Sequence, residues 1–130
     1  MGHPNEELVR AAYAAFGRGD MAALQSTYFD ENILWHFPGH SPFGGDYKGT
    51  DQVFDWFGRS FERSGGTLSV EVHDVVANDH HAVGLTTVRA QRDGKRLEDQ
   101  YAQIFHISDG KAVEVWTNVS DLYAVDDFWS

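Results

Sequence analysis

Asp93-Gly94 and Asp109-Gly110 each sit between segments in which apolar residues recur at every second position. An Asp-Gly pair readily adopts the positive φ angles of a two-residue hairpin turn, so such pairs between alternating runs predict hairpins. The alternation begins at Leu68, where Leu68, Val70, Val72 and Val76 interleave with Ser69, Glu71 and His73. A second run covers 81–91, a third 97–107 and a fourth 113–120. The second half of the chain is therefore expected to be a four-stranded antiparallel meander. Whatever precedes it must cover one face of that sheet.

Upstream, the apolar period is helical. Leu8, Val9, Ala12, Tyr13 and Phe16 form one stripe, with Asn5 as the expected N-cap, Glu6 and Glu7 in the first turn, and Gly17 and Gly19 as terminators. Asp20 is expected to cap a short second helix that buries Ala23, Leu24 and Tyr28. Residues 33–37 read as a strand ended by Pro38-Gly39. Thr50 is then the expected N-cap of a third helix carrying Val53, Phe54, Trp56, Phe57 and Phe61, ended by Gly65-Gly66. The expected architecture is α+β, one domain over residues 1–130, with three N-terminal helices packed on one face of a curved, mostly antiparallel sheet.

Composition narrows the function classes. Cysteine is absent, which removes a disulfide framework and any thiolate metal or redox centre. The formal charge is −10 and the Lys and Arg residues are scattered, so no nucleic-acid groove is expected. No apolar run is long enough to span a membrane and the N-terminus lacks a secretory pattern, so a soluble cytoplasmic protein is expected.

The last two runs carry more information than their period. Leu97, Tyr101, Gln103, Phe105 and Ile107 share one face of their strand, and Ala102, Ile104 and His106 share the other. In the next strand Val113, Val115 and Val119 oppose Trp116, Asn118 and Ser120. Neither strand has a clean wet face. One face is expected against the helices and the other against a second copy, giving a homodimer through the outer sheet face. Gln103 and Asn118, set amid aromatics, are what a partly apolar pocket uses to orient a ligand.

The segments VRAAYAAFGRGD (9–20), WHFPGHSPFGGDYKGTDQV (35–53), QIFHISDGKAVEVW (103–116) and DLYAVDDFW (121–129) resemble the SnoaL-like polyketide cyclases and ketosteroid-isomerase-like proteins of the nuclear-transport-factor-2-like superfamily. The resemblance implies a cone-shaped roll whose helices wall a pocket. It also implies cofactor-free acid–base chemistry (isomerisation, aldol cyclisation, hydration or dehydration) on an apolar, ring-containing carbonyl or hydroxyl compound. Non-catalytic binding or dimeric assembly by the same fold is the alternative. Ketosteroid isomerases carry their carboxylate base where this chain has Phe37, their helix tyrosine near Ala12 beside Tyr13, and their protonated aspartate near Tyr101 or Ala102. Relatives resembling limonene-epoxide hydrolase carry a carboxylate two residues after the tryptophan that corresponds to Trp116, where this chain has Asn118.

His36 and Asp99 are the candidate acid–base residues. A neutral imidazole in apolar surroundings can move a proton near pH 7. Alternation, however, sets His36 opposite Trp35 and Phe37, so the two sets cannot both face a cavity. Tyr101, Gln103 and Asn118 are candidate hydrogen-bonding orienters, and Tyr13, Trp35, Phe37, Trp56 and Trp116 candidate walls. His40 is a loop residue placed either at the cavity mouth or in solvent. His36 and His40 do not share a face as i, i+4 residues on a helix would, and no third ligand follows by motif, so no metal site is assigned.

Overall fold

A computed structural model describes residues 2–130. Helix α1 spans Pro4–Gly17 and is capped by His3, whose Nδ1 accepts the Asn5 N–H at 3.0 Å, rather than by Asn5 itself. Proline in the first turn explains the earlier start, because its missing N–H has no helical partner there in any case. Helix α2, Met21–Ala23, has the expected Asp20 cap (Ala23 N–H to Oδ1, 3.0 Å) and runs on as a π-helical turn, Leu24–Tyr28. Strand β1 follows directly as Phe29–Phe37, four residues longer than its alternation suggested, with an irregularity between Phe29 and Leu34.

Strand β2, Gly45–Lys48, is an element the sequence did not announce. It is held by antiparallel pairing to β1, from Leu34↔Lys48 to Phe37↔Gly45, so residues 38–44 form a hairpin loop. Helix α3, Gly49–Arg63, has Lys48 at its N-cap position without a side-chain cap, and Thr50 lies buried inside its first turn. The meander consists of β3 (Ser69–Ala77), β4 (His81–Arg92), β5 (Lys95–Ser108) and β6 (Lys111–Val119). Both Asp-Gly turns form as expected, with Asp93 and Asp109 at φ 48° and 51° and the following glycines at 77° and 75°. A short helix α4, Leu122–Trp129, closes the chain and buries Val125, Phe128 and Trp129.

The six strands lie in the order β2-β1-β6-β5-β4-β3, with β1 parallel to β6 and all other neighbours antiparallel. The helices pack on one face, and the buried residues there form one cluster that includes Val9, Leu24, Ile33, Val53, Val115 and Phe128. Among the described residues, no helix is long and apolar enough to cross a membrane.

Candidate functional site

Between the helices and the sheet lies a cavity of about 90 Å³. α1 contributes Tyr13 and Phe16, α3 contributes Trp56 and Phe57, and β1 contributes Trp35 and Phe37. Tyr101, Gln103 and Phe105 of β5 form the floor, and Phe43 from the 38–44 loop and Trp129 from α4 complete the lining. Six of the eleven residues expected at the site therefore meet here: Tyr13, Trp35, Phe37, Trp56, Tyr101 and Gln103. Among the described residues, the lining contains no Asp, Glu, His, Lys or Arg.

A chain of hydrogen bonds ties four elements across the cavity floor. The Tyr13 hydroxyl donates to Gln103 Oε1 at 2.6 Å, and Gln103 Nε2 donates to Thr117 Oγ1 at 3.2 Å. Trp35 Nε1 donates to the same Thr117 oxygen at 3.0 Å. The Thr117 hydroxyl thus accepts twice, as its two lone pairs allow. Gly84 makes this network possible. β4 pairs Gly84 with Gln103, so the Tyr13 phenol crosses the glycine to reach the amide, and a Cβ at residue 84 would lie 2.3 Å from the Tyr13 oxygen. Burial pushes the Tyr13 phenol well above the ordinary tyrosine value. Burial and then the charge of Asp99 do the same for Tyr101, with Trp129 opposing. Both phenols are neutral at physiological pH, hence hydrogen-bond donors rather than bases.

The 38–44 loop is fastened to α4 through one carboxylate. Asp126 of α4 accepts the backbone N–H of His40 (3.0 Å) and of Ser41 (3.2 Å). Gly39 must be glycine for that contact, since its φ is +101° and a Cβ would lie 2.1 Å from Asp126 Oδ1. Phe43 then meets Trp129 edge-on at 5.1 Å, Arg59 sits over the Phe43 ring, and the Tyr47 hydroxyl donates to the Phe43 carbonyl at 2.6 Å. At its far end α4 is gripped through its terminal carbonyls by Arg63, Arg92 and Lys95, as the negative end of a helix favours.

Five expected residues fall elsewhere. His36 lies on the outer sheet face, where its Nδ1 meets Asp46 at 2.7 Å, its Nε2 meets Glu114 at 2.6 Å, and its ring stacks on Trp116 at 5.7 Å. The parallel pairing of β1 with β6 sets His36 beside Trp116 and Trp35 beside Val115, which settles which side each residue takes. Trp116 therefore does not wall the cavity and Asn118 does not orient a ligand in it: β5 pairs them with Ile104 and Ala102 on the outer face, and Asn118 is exposed. Thr117, between them, is the inward polar residue, and the parity it shares with Val113, Val115 and Val119 was the signal for it. Asp99 is buried but absent from the cavity wall; its Oδ2 accepts the backbone N–H of Ser120 (3.0 Å) and Asp121 (3.3 Å), fastening the turn into α4. His40 is exposed in the loop and reaches Asp126 only through its backbone. Among the described residues, no three His, Cys, Asp or Glu side chains are grouped so as to hold a metal ion.

Residues 9–115 match the family model described as the SnoaL-like domain. The chain is similar to Uncharacterized protein Rv0034 of Mycobacterium tuberculosis, 30% identical over 125 residues and covering 95% of each chain. Its fold is similar to that of Bal32a from a soil-derived mobile gene cassette, with TM-score 0.93, 39% identity and coverage of 98% of this chain and 97% of that one. It is also similar to a protein of unknown function with a cystatin-like fold from Xanthomonas campestris, with TM-score 0.89, 28% identity and coverage of 95% and 96%. The chain therefore belongs to the SnoaL-like domain family, with the nuclear-transport-factor-2-like α+β fold.

Proposed function

We propose that this protein binds a neutral, mostly apolar ring compound in the cavity and does no acid–base chemistry on it. The observation that carries this reading is the character of the wall: aromatic and aliphatic side chains, two neutral phenols, one amide, the Ser60 hydroxyl and, among the described residues, no ionisable group that titrates near pH 7. A charged ligand entering such a wall would lose its hydration without gaining a counter-charge, at a cost of several kcal/mol by the order of magnitude for buried ions. Aromatic faces and a few fixed polar groups favour a flat ring with one or two polar substituents. At rest the cavity is smaller than the roughly 300–1,000 Å³ of pockets that bury drug-sized molecules. It suits a single ring, and a larger ligand requires the wall to move.

The acid–base enzyme expected from the family resemblance needs a base in contact with the ligand. His36 faces the other side of the sheet, and the Asp99 carboxylate is engaged by two backbone N–H groups outside the cavity wall. Neutral and charged single-ring probes separate the readings. Toluene and phenol should raise the melting temperature while benzoate and benzylamine should not. Stabilisation by benzoate equal to that by toluene would remove the neutral-ligand reading.

The outer face supports a second copy as partner. Val76 and Leu85 are exposed there, with Val83, Ala102, Ile104 and Trp116 half-buried beside them. One side of this strip carries Arg89 between Glu71 and Glu98, and the other carries His36 between Asp46 and Glu114. A two-fold axis along the strands sets the apolar strip of one copy against that of the other. Sedimentation at micromolar concentration should give twice the chain mass, and Leu85→Glu should return the monomer. A monomeric wild type would refute the dimer.

A further inference from the structure

Among the described residues, the indole nitrogen of Trp56 is the buried side-chain donor left without a hydrogen-bond partner. Trp56 lines the cavity, is 6% exposed, and is held on several sides. It stacks on Tyr47 at 4.8 Å and 14°, and it meets Trp35 at 5.6 Å, Phe37 at 5.3 Å and Phe57 at 5.4 Å. Tyr47 is itself fixed by its hydroxyl on the Phe43 carbonyl. The indole has no freedom to turn toward a protein acceptor without breaking this packing. An unpaired buried donor costs roughly 1–3 kcal/mol, and most buried donors in folded proteins are paired. The neighbouring indole makes the contrast: Trp35 Nε1 has its partner in Thr117.

We propose that Trp56 is a specificity-determining residue, donating its indole N–H to an acceptor carried directly on the ring of the bound ligand. The ligand class is thereby narrowed from neutral ring compounds to those with a ring-attached carbonyl or equivalent oxygen acceptor. Two further neutral donors belong to the same wall. Gln103 uses one of its two amide N–H groups on Thr117, leaving the other available, and Tyr101 carries a neutral phenol. A wall with several donors and no ionised acceptor selects oxygen acceptors over hydroxyl or amine donors. A site built to hydrogen-bond a substituent rejects the analogue lacking it, because the site's own group is then left unpaired.

The proposal rests on the cavity being the ligand site, and the test separates the two. Acetophenone and ethylbenzene have the same ring and nearly the same shape, and differ by a carbonyl in place of a methylene. Their affinities are measured by calorimetric titration on the wild type and on Trp56→Phe. In parallel, the Trp56 indole N–H resonance is followed in ¹⁵N-labelled wild type. Acetophenone should bind about tenfold more tightly than ethylbenzene to the wild type, the equivalent of one hydrogen bond. It should shift the Trp56 indole resonance downfield while ethylbenzene does not, and Trp56→Phe should bind the two compounds alike. Equal wild-type affinities, an unmoved indole resonance, or a preference that survives in Trp56→Phe would overturn the donor role and leave the cavity reading standing. Failure of both compounds to bind would overturn both. If Trp56→Phe does not fold, the indole shift and the wild-type preference decide alone.

Discussion

Replacing Gly84 with alanine tests whether the Tyr13–Gln103 bond sits where the packing says. Glycine inside a strand ordinarily weakens it by roughly 0.5–1 kcal/mol relative to alanine, so on propensity alone the change would stabilise. The local geometry opposes this. The new methyl carbon would lie 2.3 Å from the Tyr13 oxygen and 2.7 and 2.8 Å from two ring carbons, against an ordinary contact beginning at 3.4 Å. The phenol must retreat by about 1 Å (3.4 − 2.3 Å), which takes its 2.6 Å bond to Gln103 to the limit of a hydrogen bond. Overpacking costs about 1–3 kcal/mol and the lost bond about 0.5–1.5, so after the propensity gain the net loss is about 2 kcal/mol. At about 2.1 cal/mol/K of unfolding entropy per residue, a 130-residue chain should lose about 7 °C in melting temperature. Urea unfolding should show the same loss as a lower midpoint at unchanged slope. Tyr13→Phe in the Gly84→Ala background removes the nearest atom but not the ring carbons. The double variant should therefore be more stable, by about 1 kcal/mol, than the sum of the single changes predicts. A Gly84→Ala protein as stable as the wild type, or strictly additive effects, would refute the placement of Tyr13.

Thr117→Val leaves the Trp35 and Gln103 donors without their shared acceptor and should cost about 2–4 kcal/mol, whereas Asn118→Leu, on the outer face, should change chemical stability by no more than about 0.5 kcal/mol; urea titrations of both compare the two faces of β6 directly. Burial lowers the His36 pKa, but hydrogen bonds to Glu114 and Asp46, with their charges, more than offset it, so the net value lies above 6.5. A raised folded value makes the His36 contribution fully present below pH 6.5 and lost as pH rises through the folded value. Wild-type stability should therefore fall faster with rising pH above 6.5 than that of His36→Gln, and an imidazole titration midpoint below 6.5 by NMR would contradict the ion cluster. Asp126→Ala releases the 38–44 loop, and the His40 and Ser41 amides should exchange about tenfold faster, as expected for loss of hydrogen bonds to a charged acceptor on the surface. Unchanged protection at both amides would show that the loop is held by Phe43 alone.

Much of this molecule was readable from the chain. The two Asp-Gly turns, the meander they punctuate and the apolar stripes of α1 and α3 follow from local chemistry: positive φ at Asp93 and Asp109, period two in the strands, period 3.6 in the helices. Of the expected walls, Tyr13, Trp35, Phe37 and Trp56 line the cavity as large inward residues on those elements, whereas Trp116 lies on the outer face. β2 was not readable, since four residues with little apolar pattern are held only by their pairing to β1. Nor was α4, whose Leu122 and Tyr123 are exposed while Val125, Phe128 and Trp129 are buried.

The boundary between the two kinds of knowledge runs through β6. Sequence alone determined that Val113, Val115 and Thr117 share one side of their strand and that Trp116 and Asn118 share the other, because side chains alternate. It likewise determined that His36 opposes Trp35 and Phe37. Which side faces the helices was decided only by how strands far apart in sequence align. Gln103↔Thr117 and Trp35↔Val115 put one set inside, and a slip of one residue would have exchanged them. That register turned His36 from a candidate base into part of an outer ion cluster. It also turned Tyr101 and Gln103 toward the cavity.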